Sequence, residues 1–247
     1  MRNIRIIIEY DGTNYSGWQT QKNAPSIQEE IQKAIKKITG EYVNLIGAGR
    51  TDAGVHAKGQ TANFITTSKI PADKFAWALN SVLQEDIVVK ESEEVSLDFH
   101  SRYDAKSKIY SYTIHRGLFP PAIMRNYVYH VNYGKQIDIQ ELKKAAESFI
   151  GTHDFRAFMA AGSNVVNTVR TIYSIDIEEK EDFIKIFYHG NGFLYNMVRI
   201  ITGTIVYASI GKLNSKDIPD IIRKGDRKLA GITFPPHGLC LEKVFYD

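Results

Sequence analysis

Residues 47–57 read GAGRTDAGVHA and hold the side chains of this chain that are best suited to chemistry. Asp52 follows Arg50 by two positions, and glycines stand on both sides of the pair. A carboxylate attacks an electrophilic carbon when it is ionised and held still, and flanking glycines let the backbone turn sharply and a large substrate come close. The planar guanidinium of Arg50 suits a phosphate. The pattern indicates a nucleophile on a loop, although a tight turn with an ordinary Arg–Asp ion pair fits the same residues.

Two other kinds of site fit these residues poorly. A P-loop places lysine and then serine or threonine after its second glycine, whereas Gly49 is followed by Arg50 and Thr51. The dinucleotide fingerprint G-x-G-x-x-G lacks its third glycine, because Asp52 occupies that position. Asp52 and His56 have a spacing that would suit two metal ligands on a helix, but a glycine-rich segment disfavours a helix. The sequence therefore favours neither nucleotide binding nor a metal site.

Composition places the chain among ordinary globular proteins. Its length of 247 residues is enough for one large domain or two small ones. Apolar residues make up 43% of the chain and charged residues 24%, which are ordinary values for a globular protein. A net charge of +3 is by itself a weak argument for a nucleic-acid partner, although a polyanion responds to local potential. The single cysteine, Cys240, excludes an internal disulfide and a cysteine-based metal cluster.

Neither the N-terminus nor the most apolar stretch of the sequence indicates a membrane protein. The N-terminus is too charged for a signal peptide. The most apolar stretch, residues 193–211, contains Asn196 and Arg199, so it favours a buried helix over a membrane span. We therefore expect a soluble, cytoplasmic protein.

Apolar periodicity divides the chain into strands and amphipathic helices. Alternation at period two predicts strands at residues 4–10, 57–66, 86–95, 109–117, 168–179, 182–190 and 239–246. Helical spacing predicts helices at residues 26–38, 71–83, 139–150, 193–209 and 216–224. Ser26 with Glu29, and Asp138 with Glu141, are typical of helix N-termini, and Gly151 would end the third helix.

These elements predict an α+β fold with largely antiparallel sheets and flanking helices. Both halves place a strand before an amphipathic helix, which suggests two related subdomains. The polar, basic segment 100–108 marks the boundary between them. We therefore expect an N-terminal domain at residues 1–104, which carries the Asp52 loop, and a C-terminal domain at residues 105–247.

Five segments in order along the chain resemble one known family. GRTDAGVHA resembles the motif around the catalytic aspartate of the tRNA pseudouridine synthase A (TruA) family. The other four similar segments are YDGTNYSGWQTQ (10–21) with the helix SIQEEIQKAI after it, DFHSRYDAKSKIYSYTI (98–114), GNGFLYNMVRIITGT (190–204) and PPHGLCLEKVFY (235–246). Five ordered matches are far more specific than any one of them. The resemblance implies the pseudouridine synthase fold, with an active-site cleft between the two subdomains.

The resemblance also implies a role for individual residues. Asp52 matches the nucleophile, and Arg199 matches the arginine that pairs with it. Tyr110 matches the tyrosine that stacks on the target base, Leu239 an apolar residue that packs against that base, and Arg50 the residue that fills the space which the flipped base leaves. From pattern alone, Tyr110 could equally be a core or sheet-face tyrosine. The alternative for Arg199 is an arginine that reaches solvent at a helix edge. Whether Asp52 attacks the base or the sugar stays open.

The implied substrate is RNA. The family acts on uridines at positions 38–40 of the tRNA anticodon stem-loop and works as a homodimer without a cofactor or a metal. His56 would support the loop or touch RNA. Further possible RNA contacts are basic side chains that could bind phosphate: Lys22, Arg102, Lys106, Lys108, Arg116 and Arg170.

Three alternatives remain open from sequence. The chain could be an RNA-binding or RNA-folding paralogue without catalysis, a synthase that acts on another RNA site, or a phosphate-transfer enzyme that uses the glycine loop. The intact set Asp52, Tyr110 and Arg199 disfavours the first. Segments 116–136 and 158–170 could tune the choice of RNA site.

Overall fold

The computed structural model describes residues 1–132, 137–162 and 165–247. Its strands are, in chain order, β1 (Arg2–Tyr10), β2 (Ile46–Gly47), β3 (His56–Thr66), β4 (Ile87–Val95), β5 (Ser107–His115), β6 (Tyr129–His130), β7 (Gly151–Asp154), β8 (Val169–Lys180), β9 (Phe183–Gly190) and β10 (Leu239–Phe245). Its α-helices are α1 (Ile27–Thr39), α2 (Phe75–Asn80), α3 (Ile139–Glu147), α4 (Met197–Ser209) and α5 (Ile218–Lys224). None of the helices in this described part has the length and apolar character that a membrane crossing requires.

The described residues form two compact units. The first contains Met1–Lys106 and Cys240–Asp247, and the second contains Ser107–Leu239. Residues 240–247 thus group with the N-terminal part of the chain rather than with the segment that precedes them. The predicted α+β class with mostly antiparallel sheet is confirmed.

In the first unit, β1 lies between β3 and β4 and is antiparallel to both. The sheet continues on the far side of β3, where β10 pairs in parallel through Cys240 and His56. The alternating residues Ile4, Ile6 and Ile8 of β1 are fully buried, as are Ile27, Ile31 and Ile35 of α1. Burial of these alternating and helical stripes removes apolar surface from water and forms the core of this unit.

In the second unit, β9 lies between β5 and β8, and β7 continues the sheet beyond β8; all three pairings are antiparallel. The alternating residues Ile184, Ile186 and Tyr188 of the central strand β9 are fully buried. The Tyr188 hydroxyl lies 2.8 Å from the Thr202 hydroxyl on α4. This buried contact fixes α4 against the sheet, and α3 packs on α4 in turn.

Several helix boundaries differ from those that the sequence predicts. The helix predicted over 193–209 begins only at Met197, because Asn196 has a φ of 60°, a left-handed conformation that cannot continue a right-handed helix. The third helix ends at Glu147, and Gly151 instead begins β7. The segment 71–83 splits into a 3-10 turn at Ala72–Lys74 and the short helix α2.

Candidate active site

The Asp52 loop, residues 48–55, connects β2 to β3 in the first unit. Asp52 is half-buried, and its backbone carbonyl accepts a hydrogen bond from the Val55 N–H at 3.1 Å, which closes a tight turn. Thr51 is buried, and its hydroxyl lies 2.7 Å from the hydroxyl of Tyr10 on β1. Burial raises the pKa of the Tyr10 phenol, so this hydroxyl stays protonated and remains a hydrogen-bond partner. The carboxylate of Asp52 is therefore carried on a backbone that is fixed on one side by the sheet.

A second segment, residues 12–18, supports the Asp52 loop from another side. The backbone N–H of Trp18 donates to the Thr51 carbonyl at 3.1 Å, and the backbone N–H of Gly54 donates to the Tyr15 carbonyl at 3.3 Å. Gly17 has a φ of +93°, and a Cβ there would lie 2.5 Å from the Thr51 carbonyl oxygen. Only glycine lets the two backbones approach this closely. The segment YDGTNYSGW thus holds the loop in place, a function that sequence reasoning missed because nothing local in the pattern reports which segment it touches.

Arg50 and His56 occupy different environments at the two ends of this loop. Arg50 is exposed, and its Nε donates to the Gln19 side chain at 3.1 Å. His56 is only 6% exposed, and its Nδ1 lies 3.1 Å from both the Gly12 backbone nitrogen and the Asp11 carboxylate. Without a hydrogen, Nδ1 accepts from the Gly12 N–H; with one, it donates to the Asp11 carboxylate. His56 therefore ties residues 11–12 to the start of β3 in either state.

Tyr110 and Leu239 lie in the second unit. Tyr110 is buried on β5 opposite Tyr188, and its ring meets Phe193 edge-to-face with centroids 5.4 Å apart. Leu239 is buried directly after the 3-10 turn Pro236–Gly238. The Tyr112 hydroxyl donates to the Pro235 carbonyl at 2.7 Å. Tyr112, two residues after Tyr110 on the same strand, therefore fixes the turn that leads to Leu239.

Arg199 is half-buried in the first turn of α4. Its Nε donates to the Phe234 carbonyl at 2.6 Å, and its Nη1 donates to the side-chain oxygen of Asn196. The segment before Pro235 lies directly on α4, because a Cβ on Gly203 would meet the Ile232 carbonyl oxygen at 2.0 Å. Hydrogen bonds to a charged guanidinium are about twice as strong as neutral ones. The guanidinium is thus held by the protein, and Asn196 and Phe234 are supporting residues that the sequence did not identify.

The predicted basic residues fall into two groups. Lys22, Arg102 and Lys106 are exposed in the first unit, whereas Lys108, Arg116 and Arg170 are half-buried in the second. Arg116 forms an ion pair with Glu179 at 3.0 Å, and Arg170 donates to the carbonyls of Asn167 and Val169. Burial lowers the pKa of Arg170 from its usual value, although a guanidinium stays charged at neutral pH.

Segments 116–136 and 158–170, which could tune the choice of RNA site, lie partly outside the described residues, at 133–136 and 163–164. Within the ranges that the structure does describe, no three or more histidine, cysteine or acidic side chains are grouped so that they could hold a metal ion.

The structure therefore brings Arg50, Asp52 and His56 together on one buttressed loop of the first unit. In the second unit, Arg199 and Tyr112, the neighbour of Tyr110 on β5, both contact the segment 234–239 that ends at Leu239. Arg199 bonds to the carbonyl of Phe234, and the Tyr112 ring packs on the Phe234 ring with centroids 5.8 Å apart.

Comparison with known proteins gives the family. A family model described as tRNA pseudouridine synthase matches residues 6–104 and 145–247. A protein of Thermoanaerobacter sp. named tRNA pseudouridine synthase A is 56% identical over 246 residues, covering 100% of both chains. Its namesake from Acetivibrio thermocellus is 53% identical over 246 residues, and tRNA pseudouridine synthase A 2 of Clostridium perfringens is also 53% identical over 246 residues, each with 100% of both chains covered. The chain belongs to the tRNA pseudouridine synthase family, which confirms the resemblance of its five motifs.

Proposed function

We propose that this protein converts uridines at positions 38–40 of the tRNA anticodon stem-loop into pseudouridine, with Asp52 as the nucleophile. The coarser part of this statement follows from the family: the chain is a pseudouridine synthase, an isomerase that acts on uridines of tRNA. Positions 38–40 come from the resemblance of the motifs. The observation that supports Asp52 as the nucleophile is its loop: Asp52 is half-buried, and the preceding residue Thr51 is held through its hydroxyl by Tyr10 and through its carbonyl by the Trp18 backbone N–H. Such fixing supports a reacting group, because a nucleophile gains most when its position is set before the substrate arrives.

The reaction needs few parts from the protein. Pseudouridine formation breaks the bond between uracil N1 and the sugar carbon and forms a bond from uracil C5 to the same sugar carbon. C5 gives up its hydrogen as a proton and N1 takes up a proton, so the product is an isomer of the substrate. Because nothing is oxidised and no group is consumed, the reaction requires only an ionised carboxylate, a means of holding the base and an acceptor for the C5 proton. We propose that no cofactor takes part.

The target base must leave its stack before Asp52 can act. Extrusion costs a few kcal/mol, which contacts to the flipped base have to offset. We propose that Tyr110 stacks on the base and that Leu239 packs against it; both are buried and supported, by Phe193 and by the 3-10 turn before Leu239. Arg50 is exposed on the same loop as Asp52, which supports its role as the side chain that fills the vacated space.

Arg199 is proposed to pair with the Asp52 carboxylate. A cation beside the carboxylate favours the ionised form that attacks. Its hydrogen bonds to Phe234 and Asn196 support this role, since a guanidinium held in place loses little freedom when it binds a carboxylate. His56, buried and bonded to residues 11–12, is proposed to support the loop rather than to touch RNA.

RNA is proposed to bind mainly through phosphate contacts, with a homodimer in the cytoplasm as the working form. The exposed residues Lys22, Arg102 and Lys106 are the leading candidates for these contacts. Arg116 is a weaker candidate, because Glu179 already pairs with its guanidinium. Lys108 and Arg170 are half-buried and complete the set.

The experiment that tests the proposal maps pseudouridine at single-nucleotide resolution in tRNA transcripts incubated with the pure protein. We expect new pseudouridine at positions 38–40 and at no uridine outside the anticodon stem-loop. Product at other positions would assign the chain to a different RNA site. Tight tRNA binding without product would support a non-catalytic RNA-binding role and refute the proposal.

A further inference from the structure

A turn at residues 98–106 presents an exposed aromatic ring, and no role proposed above uses it. Tyr103 is 75% exposed, yet one face of its ring stacks on His100, with centroids 4.2 Å apart and an angle of 28° between the rings. A large ring in water whose orientation is already set can accept a further flat partner.

Hydrogen bonds fix His100 in this arrangement. Its Nδ1 accepts from the backbone N–H groups of Arg102 and Tyr103 at 3.2 and 3.3 Å. Its own backbone N–H donates to the Asp104 carboxylate at 2.8 Å. Because Nδ1 is an acceptor, the neutral ring carries its hydrogen on Nε2. The turn is thus closed from within, so little freedom remains to be lost when a ligand stacks on Tyr103.

The turn is also anchored to the core of the first unit. Ser101 is fully buried, and its N–H and hydroxyl both donate to the Asn63 side chain on β3, at 2.9 and 2.7 Å. Its carbonyl accepts from the Tyr246 hydroxyl at 2.8 Å. Asn63 is held in turn by Asn3 on β1 at 3.0 Å. The exposed ring therefore stands on a rigid base rather than on a mobile loop.

Two basic side chains stand beside Tyr103 in a turn that also contains two acidic residues. The Arg102 guanidinium carbon lies 5.8 Å from the centre of the Tyr103 ring, and Lys106 is exposed three residues later. Of the acidic residues in the turn, Asp104 is directed at the His100 N–H, whereas Asp98 is exposed. Aromatic rings beside cations bind single-stranded nucleic acid, since the ring stacks on a base and the cations meet its phosphates.

We propose that Tyr103, stacked on His100, is a platform for an unpaired nucleobase of RNA, and that Arg102 and Lys106 bind the adjoining phosphates. This proposal rests on the proposed function, because the RNA would be the tRNA substrate. It adds a second base-stacking contact, to a base other than the target uracil that Tyr110 and Leu239 are proposed to hold.

The test measures binding of unmodified tRNA to the full chain carrying Asp52→Asn, so that turnover does not change the ligand. In this background, Tyr103→Ala should raise the Kd about 5- to 100-fold, and Tyr103→Trp should keep the Kd within about twofold. The slope of log Kd against log salt should not change with Tyr103→Ala, because stacking releases no counterions. Arg102→Ala should reduce that slope by about 0.7 to 0.9.

Tyr42 provides the matched control. It is 84% exposed, and the Lys36 ammonium lies 3.9 Å from the centre of its ring, but it lies on another segment, between α1 and β2. Tyr42→Ala should leave the Kd within about twofold. The platform is refuted if Tyr103→Ala also stays within twofold or if Tyr42→Ala weakens binding as much.

Turnover by the chain with Asp52 intact separates this proposal from the proposed function. If that chain forms pseudouridine while Tyr103→Ala binds tRNA as the parent does, the platform alone is wrong. If the protein with Asp52 intact neither binds tRNA nor forms pseudouridine, the proposed function is wrong, and so is the platform.

Discussion

Gly17 is the position at which one added methyl group should displace the Asp52 loop. Gly17→Ala places a Cβ on a residue with a φ of +93°, and that atom would lie 2.5 Å from the Thr51 carbonyl oxygen. The left-handed conformation costs about 1–2 kcal/mol for a residue with a Cβ. Moving from 2.5 Å to the 3.4 Å at which ordinary contact begins requires the two backbones to separate by about 0.9 Å. Thr51 and Asp52 must absorb that shift.

A displacement of about 1 Å at a reacting group costs about 100-fold in rate. We therefore expect Gly17→Ala to lower the single-turnover rate of pseudouridine formation by about that factor. The assay follows tritium released from uracil C5 of labelled tRNA with enzyme in excess. Thermal unfolding of the same variant reports the stability cost separately, since 1 kcal/mol lowers the Tm of a chain of this size by about 2–4 °C.

Gly40→Ala is the matched control for the backbone penalty. Gly40 also has a left-handed φ, +79°, but it caps α1, and no atom of the described residues comes within 4 Å of a Cβ built there. This variant should lose about 2–8 °C in Tm and keep its rate. A Gly17→Ala variant that keeps its rate within threefold, or a Gly40→Ala variant that loses as much rate, would contradict the role of Gly17 in holding the Asp52 loop.

Two further predictions use buried polar contacts. Tyr10→Phe and Tyr188→Phe each remove a buried phenol hydroxyl, which lies 2.7 Å from a threonine hydroxyl in the first case and 2.8 Å in the second. Each variant should lose about 1 kcal/mol of unfolding free energy in urea. Only Tyr10→Phe should also slow the single-turnover rate, because its partner Thr51 precedes Asp52, and equal rates in the two variants would contradict this. Burial, and then the neighbouring His130 ring, lower the pKa of His115 below its usual 6.5, while Asp182 opposes the shift. A histidine with a lowered folded pKa stabilises the fold above its unfolded pKa, so this contribution should be lost as the pH falls from 7 through 6.5 toward the lower folded value. The difference in unfolding free energy between the parent and His115→Gln should shrink over that range, and a difference that is constant or grows would contradict the assignment.

The sequence predicts those parts of the fold that depend on local pattern. Alternation in β1 identifies the buried face of Ile4, Ile6 and Ile8, since side chains along a strand point to opposite faces in turn. Ser26 is the N-cap of α1, and its side chain accepts from the Glu29 N–H as a helix start requires. These features need only neighbouring residues, so a single sequence contains them.

What the sequence could not predict depends on contacts between distant segments. The parallel pairing of β10 with β3 joins residues that are far apart along the chain, and no local pattern specifies it. The same holds for the approach of Gly17 to Thr51 and for the bond from Arg199 to the Phe234 carbonyl. The late start of α4 follows from the left-handed backbone of Asn196. The sequence did not indicate it, because the apolar periodicity already begins in the residues before Asn196.

The central claim, that the Asp52 carboxylate is the nucleophile, is tested most directly by Asp52→Asn. The amide keeps the size of the side chain but is not an anionic nucleophile. We expect unchanged Tm, tRNA binding within about threefold of the parent, and no pseudouridine even with enzyme in excess over tRNA. Pseudouridine formed by a pure preparation of Asp52→Asn, at a rate near that of the parent, would contradict the account.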